Sequence, residues 1–415
     1  MRPQFTGLWR HPDFLKLWIG QTISLFGSQI TALALPLTAV LTLQATPSQM
    51  GTLRATHSAS AMLAGLFAGV LADRVRRRPI LIGTDLGFSI LAGSIPVAAF
   101  LGLLRIEQLY LVQFFSGVLA VFSDVTHMAF LPSLAQRHQL VEANSKLQTT
   151  SSAASIAGPG LAGVLTQMFT APMALILDAL SFLISALFIW RIRAPETPAA
   201  PVANRKSVWA EIGEGLRFVF GNSALRPLAE AIAIHFLFNG LLYSVFILYA
   251  SRELKIESSL LGVIFAASGL GLLTGALAAA RMARGYGQGP TMLGASFTSA
   301  VAALLIPLAN GPFPAIVVML VFAQFLQAVS IQINGINLVS LRQGITPAHL
   351  QGRMNATFRF LNLTAATIGA LLAGAFSEVL GLRMILAVGA GGLFIPFLRL
   401  LFSPMRNLRE VVNTE

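Results

Sequence analysis

The sequence predicts an all-α membrane protein with twelve transmembrane helices arranged as two pseudo-symmetric six-helix bundles. Its composition, its recurrent apolar runs and an internal repeat support this prediction. Of the 415 residues, 55% are hydrophobic and 11% are charged, whereas soluble proteins carry about 25% charged residues. So few charges cannot cover a water-facing surface, and lipid-facing walls remove that requirement. Each apolar run has about 20 residues or more, enough to cross roughly 30 Å of hydrocarbon.

The apolar runs divide into twelve predicted spans. These are residues 14–43, 49–72, 79–103, 108–131, 143–169, 173–190, 224–250, 259–282, 290–309, 314–341, 353–378 and 384–403. We expect an N-terminal bundle at 1–190 and a C-terminal bundle at 224–415, joined by a cytoplasmic linker at 191–223. Residues 208–220 of the linker have helical spacing and are expected to lie along the membrane surface.

The charge pattern predicts orientation and excludes several classes of partner. The net charge is +12, but the arginines lie in short connections after even-numbered spans, which places both termini in the cytoplasm. This placement argues for a plasma membrane, the inner membrane in a Gram-negative bacterium, and against nucleic-acid binding. The chain has no cysteine, so it has no disulfide and no thiolate metal site.

The two halves of the sequence repeat with one offset. Adding 211 to a residue number in the first half returns the same residue type at many positions without a gap. The pairs are Gly51 with Gly262, Pro79 with Pro290, Gly83 with Gly294, Pro96 with Pro307, Gln113 with Gln324, Asn144 with Asn355, Gly158 with Gly369, and Gly163 with Gly374. Two six-helix repeats indicate a transporter whose substrate site lies near the bilayer midplane.

The connection after the second span carries a glycine, an aspartate and a basic cluster. Its members are Gly69, Asp73, Arg74, Arg77 and Arg78. This segment resembles the cytoplasmic gate motif of the major facilitator superfamily, although Arg76 stands where the family has glycine. Charge-assisted hydrogen bonds in this segment would form in one state of the gate and break in the other. The alternative is that the basic residues only follow the positive-inside rule.

The fifth span contains a second motif, in which small residues surround a proline. Gly158, Pro159 and Gly163 resemble the glycine-proline pattern often found in antiporters of the superfamily. Small residues permit close helix approach, and proline bends a helix. The alternative is that these small residues only allow close helix packing and do not indicate the direction of transport.

Further segments resemble the branch of the superfamily that contains the enterobactin exporter and macrolide efflux proteins. They begin at Leu131, Leu140, Asp178, Glu214 and Gly352. The resemblance covers nearly the whole chain and implies proton-driven export of an amphipathic compound. Many family antiporters have an arginine where this chain has Gln113, which leaves an arginine relay at that position unsupported.

Polar residues within the spans are the candidate site residues, because charges in hydrocarbon are costly and usually face a cavity. In the fourth span, Gln113, Asp124 and His127 share one helical stripe. Asp124 is the predicted protonatable group and His127, three residues later, its partner. A static pair that only stabilises the bundle is the alternative. Asp178 and Glu378 are interpreted as loop anchors near helix ends.

Other candidates come from the second, seventh and tenth spans. Arg54 and His57 are three apart in the second span. Arg54 suits either an anionic substrate group or an outer gate, and snorkelling of Arg54 to the interface is the alternative. The remaining cavity candidates are His235 and Asn239 of the seventh span and Gln324 and Asn334 of the tenth. A satisfied packing residue is the alternative for His235, and interhelical hydrogen bonding is the equal alternative for the amides of the tenth span.

The sequence as a whole predicts a secondary active transporter, a proton-coupled exporter of a small amphipathic compound such as a siderophore or drug. No phosphate loop, metal-spaced cluster or catalytic constellation is recognisable, so we expect no enzyme activity, no metal and no cofactor. We expect a monomer. A lipid or lysolipid flippase, and a membrane sensor with a transporter-like body, are the alternatives.

Overall fold

Apolar runs form helices here because a helix satisfies its own backbone hydrogen bonds, which lipid cannot do. A computed structural model of the chain describes residues 8, 11–72, 76–194, 208–223, 225–347 and 350–407. The first half contains α1 (Pro12–Leu37), α2 (Pro47–Ala72), α3 (Arg77–Phe100), α4 (Ile106–Phe130), α5 (Leu140–Phe169) and α6 (Ala171–Trp190). The rest contains α7 (Val208–Gly221), α8 (Leu225–Arg252), α9 (Ser258–Tyr286), α10 (Gln288–Leu308), α11 (Phe313–Ile345), α12 (Gln351–Leu380), α13 (Leu382–Gly392) and α14 (Phe394–Leu401).

The twelve predicted spans all correspond to helical segments. Within the described residues, ten stretches are long and apolar enough to cross a membrane. The second and fifth predicted spans correspond to α2 and α5, which have 26 and 30 residues. The last predicted span, 384–403, is a pair of helices, because α13 ends and α14 begins around Leu393.

The backbone repeats its conformation at the offset seen in the sequence. Gln44 and Lys255, which are 211 residues apart, have φ values of 53° and 54°. Thr170 and Gly381, at the same offset, have φ values of 107° and 83°. Positive φ is rare outside glycine, so two matched pairs of such residues show that both halves use the same turns between helices.

Helix packing repeats as well. In the first half, α1 packs against α5 and α6, and α3 packs against α4 and α6. In the second half, α8 packs against α12 and α13, and α10 packs against α11 and α13. Adding the repeat offset converts the first set of helix pairs into the second, which confirms the predicted pseudo-symmetric helical fold.

The chain groups into two compact units. Unit 1 comprises Met1–Ala45, Ala59–Asn204 and Glu257–Gly262, and unit 2 comprises Thr46–Ser58, Arg205–Ile256 and Val263–Glu415. The buried core of unit 1 includes Phe14, Leu81 and Phe130. That of unit 2 includes Leu341 and Phe358. The division into bundles at 1–190 and 224–415 remains a prediction.

Helix α7, which covers the helical part of the predicted linker, packs on α12 within unit 2. Glu214 of α7 and Arg353 of α12 form a salt bridge of 2.6 Å. Gly215 permits the close approach, because a Cβ atom there would lie 2.9 Å from the carbonyl oxygen of Arg353. Two of the segments that resemble the exporter branch, those at Glu214 and Gly352, therefore meet at this helix pair.

Candidate functional site

Helices α2, α8, α9 and α11 line a cavity of about 260 Å³ within unit 2. Its polar lining consists of Arg54, Asn239, Tyr243, Ser268 and Gln324. Its apolar lining consists of Phe265, Leu272, Ala328 and Ile331. On each of α8, α9 and α11 the lining residues are three or four apart, so each helix presents one face to the cavity.

A hydrogen-bonded cluster forms the polar wall of this cavity. The Tyr243 hydroxyl lies 2.6 Å from Oε1 of Gln324 and 3.0 Å from Oε1 of Gln327, and it has one hydrogen to donate between them. The Ser268 hydroxyl lies 3.4 Å from the same Gln324 oxygen. Gln324 and Gln327 are only 2% and 1% exposed. Among the described residues, their amide nitrogens have no hydrogen-bond partner.

Three of the residues predicted from the sequence, Arg54, Asn239 and Gln324, lie together in this cavity. Three others lie on the same helices but outside its lining. His235 is half-buried on α8, with its ring edge-on to Phe236. The side-chain amide of Asn334 on α11 donates to the Ser296 hydroxyl of α10 at 3.3 Å. His57 is half-buried on α2, three residues after Arg54.

The candidates of the fourth span lie on α4, in unit 1. Asp124 is exposed, while Gln113 and His127 are half-buried. None of the three contributes to the cavity of unit 2. A role of Asp124 and His127 in proton transfer therefore remains a prediction.

Two buried carboxyl groups in unit 1 were not among the predicted site residues. Asp178 is 2% exposed and accepts hydrogen bonds from the hydroxyls of Thr31 and Ser181. Its interpretation as a loop anchor is wrong, because it lies on α6 against α1 instead of in a connection. Asp85 on α3 is 3% exposed, and among the described residues its Oδ2 atom has no hydrogen-bond partner.

The spacing of Asp178, Ser181 and Ser185 along α6 is the sequence signal that could have found this cluster. Residues three and four apart share one helix face, and such a polar stripe in a span indicates contact with another helix. Glycines on α1 allow that contact. A Cβ atom at Gly20 would lie 3.3 Å from the Ser185 hydroxyl oxygen, and one at Gly27 would overlap Ser181 and Asp178.

The predicted gate motif is only partly within the described residues. Gly69 lies in α2 and Arg77 is the first residue of α3, whereas Asp73 and Arg74 are outside the described part of the chain. Arg78 donates to the carbonyl oxygens of Ile189, at 3.2 Å, and Trp190 at the end of α6. Terminal carbonyls of a helix lack intrahelical partners and favour a cation, so Arg78 caps α6.

The glycine motif of α5 lies at two close helix contacts. A Cβ atom at Gly158 would lie 2.5 Å from Cβ of Gln29 on α1. A Cβ atom at Gly163 would lie 2.9 Å from the Cα atom of Gly262 on α9. Pro159 also approaches this crossing, because its carbonyl oxygen would lie 2.5 Å from a Cβ atom at Gly262.

The repeat of this second contact occurs in unit 2. There Gly51 of α2 crosses Gly374 of α12, where a Cβ atom at Gly51 would lie 2.8 Å from the Cα atom of Gly374. The two crossings are related by the 211-residue offset, with Gly51 equivalent to Gly262 and Gly163 equivalent to Gly374.

Comparison with known proteins agrees with this architecture. The multidrug efflux pump Tap of Mycolicibacterium fortuitum is 28% identical over 357 residues, which are 81% of this chain and 85% of Tap. The enterobactin exporter EntS of Salmonella typhimurium is 26% identical over 412 residues, which are 96% of this chain and 94% of EntS.

Solved structures show the same fold at lower identity. The nucleoside transporter NupG is 14% identical with a TM-score of 0.75, over 94% of this chain and 98% of NupG. A bacterial homologue of the iron transporter ferroportin is 17% identical with a TM-score of 0.71, over 94% and 98% of the two chains. The sequence profile of the family described as transmembrane secretion effector matches residues 5–414. The chain therefore belongs to this family of the major facilitator superfamily, and it is a multi-pass membrane transporter rather than an enzyme, as the sequence predicted.

Proposed function

We propose that this protein is a proton-coupled exporter of small amphipathic compounds that works by alternating access. The cavity of unit 2 carries this proposal, because its lining combines a cation, hydroxyls and amides with Phe265 and aliphatic side chains. A mixed lining of this kind suits a ligand with an apolar body and a polar end. The names of the efflux pump and the enterobactin exporter support export as the direction and a drug or siderophore as the cargo.

In this proposal Asp124 binds the coupling proton and His127 assists it. The two residues are three apart on α4, so their side chains are neighbours. An intramembrane carboxyl is a suitable proton carrier, because its charge is costly in hydrocarbon and its neutral form is not. The protein resides in the plasma membrane as a monomer with both termini in the cytoplasm. The segment with Asp73, Arg74, Arg77 and Arg78 acts as the cytoplasmic gate.

The test is a proton-flux assay in inside-out membrane vesicles that contain the full chain and a pH-sensitive dye. Addition of a transported amphiphile, from a panel of drugs and siderophores, should dissipate an imposed proton gradient. Asp124→Asn should abolish this dissipation while downhill movement of the amphiphile continues, because an amide cannot carry the proton.

Glu107→Gln is the matched control, since it removes a carboxylate from the exposed first turn of the same helix and should leave coupling unchanged. The proposal is wrong if no amphiphile in the panel dissipates the gradient in the unmodified protein. The assignment of the proton to Asp124 is wrong if Asp124→Asn couples normally.

A further inference from the structure

The cavity of unit 2 is lined by a positively charged side chain and by no negatively charged one. Arg54 is the charged residue among its nine lining residues, and no carboxylate accompanies it. Within the described part of the chain, Arg54 also forms no salt bridge. A charged group inside a membrane is costly unless it is paired or faces a water-filled cavity, so an unpaired guanidinium here indicates a site for an anion.

The depth of Arg54 argues against snorkelling to the membrane interface. Arg54 is seven residues from the start of α2, which is about 10 Å along the helix. Gln324 lies eleven residues into α11 and Tyr243 nine residues before the end of α8, which are about 16 Å and 13 Å from those ends. The side chain of Arg54 is exposed at this depth because it lines the cavity that these residues share.

The remaining polar wall offers hydrogen-bond donors. The Gln324 carbonyl oxygen already accepts from Tyr243 at 2.6 Å and faces the Ser268 hydroxyl at 3.4 Å. Its amide nitrogen is buried and has no partner among the described residues. An amide nitrogen carries two donors and a guanidinium five. Hydrogen-bond donors that lack acceptors, in a cavity that also contains a cation, are suited to bind the oxygens of a carboxylate, phenolate or sulfonate.

The apolar part of the lining suits an aromatic ring. Phe265 lines the cavity and lies edge-on to Phe246, with ring centroids 5.7 Å apart. Leu272 and Ile331 complete an apolar surface. The volume of about 260 Å³ is below that of pockets for drug-sized ligands, so it holds one ring system with its acidic group, and a larger cargo would place only its acidic end here.

We propose that Arg54 and the Gln324 amide form an anion-binding subsite, with which this protein selects aromatic acids over aromatic cations. This inference rests on the proposed export function for its biological meaning, since it specifies the charge class of the cargo. The binding of an acid at this subsite is a separate property that is measurable without transport.

The test compares two probes with one ring system and opposite charge, 1-naphthoate and 1-naphthylmethylamine. Equilibrium dialysis against the full chain in lipid nanodiscs, with empty nanodiscs as the blank, gives both dissociation constants. The unmodified protein should bind naphthoate at least tenfold more tightly. Arg54→Gln should weaken naphthoate binding by roughly tenfold to a hundredfold, the value of a hydrogen bond to a charged group, and leave the amine unaffected.

Two further variants keep the test decisive. Arg54→Lys retains the positive charge but loses the planar guanidinium group, so it should keep part of the preference for naphthoate over the amine. This variant replaces Arg54→Gln in the test if Arg54→Gln does not fold. Arg105→Gln removes an exposed arginine next to α4 and should bind both probes as the unmodified protein does. The inference is overturned if the unmodified protein binds both probes equally, prefers the amine, or keeps its preference in Arg54→Gln.

The outcomes also separate this inference from the proposed function. Binding of naphthoate that depends on Arg54, without proton-coupled flux of any amphiphile, would support the subsite and contradict the exporter. Proton-coupled export without a charge preference would support the exporter and contradict the subsite.

Discussion

Two polar clusters of this protein differ in how much room surrounds them. In unit 1, the carboxyl group of Asp178 is held between α6 and α1 by Thr31 and Ser181, and it is 2% exposed. In unit 2, Tyr243 and Gln324 belong to a cluster that borders an open volume of about 260 Å³. The first cluster fills the space between two helices, whereas the second leaves space between four.

This difference teaches which polar groups inside a membrane act in structure and which are available to a ligand. A packed group depends entirely on its protein partners, because no water can replace a lost hydrogen bond. A group beside a cavity can accept a water molecule instead. Substitutions in the packed cluster should therefore reduce stability, and substitutions at the cavity should change binding more than stability.

The largest effect is expected for Gly27→Ala. The new methyl group would overlap the Ser181 side chain and the Asp178 carboxylate, which separates α1 from α6 and breaks the hydrogen bond from Thr31 of α1 to Asp178 of α6. We expect the free energy of unfolding to fall by about 3 kcal/mol, which is the upper end of the range for overpacking a buried site. Thermal unfolding of the purified protein, followed by size-exclusion chromatography, measures it.

Gly83→Ala is the control for that substitution, because a Cβ atom at Gly83 on α3 meets nothing within 4 Å. Its free energy of unfolding should be unchanged or higher by up to about 1 kcal/mol, since alanine favours a helix more than glycine does. Equal stability of the Gly27 and Gly83 variants would show that α1 and α6 are not packed as described.

An intermediate effect is expected for Thr31→Val. This change preserves the side-chain shape and removes a hydroxyl that donates to Asp178, leaving a carboxylate oxygen of a buried residue without this donor. The cost should be about 1–2 kcal/mol in the same unfolding assay. Thr22→Val is the control on the same helix, since within the described residues the Thr22 hydroxyl donates to the carbonyl oxygen of Trp18 in its own helical turn. If both variants lose equal stability, the contrast between the clusters is not supported.

The smallest effect on stability is expected for Tyr243→Phe. The variant loses the hydroxyl that contacts Gln324 and Gln327, yet water from the cavity can replace it. We expect the free energy of unfolding to fall by less than about 1 kcal/mol. This decrease is smaller than that expected for Thr31→Val, although Tyr243→Phe removes two contacts. A larger loss than for Thr31→Val would mean that the cavity cluster is as dependent on protein partners as the packed one.

The helical fold was predictable because its signals are periodic and local. The apolar runs predicted twelve spans that all correspond to helical segments, and ten stretches of the described residues are long and apolar enough to cross a membrane. The 211-residue offset identified a repeat that recurs in the φ values of Gln44 and Lys255 and of Thr170 and Gly381. The interruption of the last span near Leu393 was not predictable from apolar length, since residues on both sides of it are apolar.

The site was predictable in part. Arg54, Asn239 and Gln324 stood out as polar residues in apolar spans, and they lie in one cavity. Ser268 and Phe265 were not among the predicted site residues, because the face of a span that meets a given neighbour depends on packing between helices distant in sequence. Asp178 was misinterpreted for the same reason. The sequence indicates how far Asp178 lies from the end of its span, but it does not indicate that the Thr31 hydroxyl of α1 contacts it.

The glycine crossings of Gly51 with Gly374 and of Gly163 with Gly262 bear on how such a protein can evolve. Backbone meets backbone there, so a crossing has no side chain through which substitutions elsewhere could retune it. The cavity residues, in contrast, can be exchanged one at a time. Substitutions can therefore alter the cavity lining at Arg54 and its neighbours while the four glycines stay constant. The glycine crossings are then the conserved part of such a protein, and the cavity lining is the part that can vary.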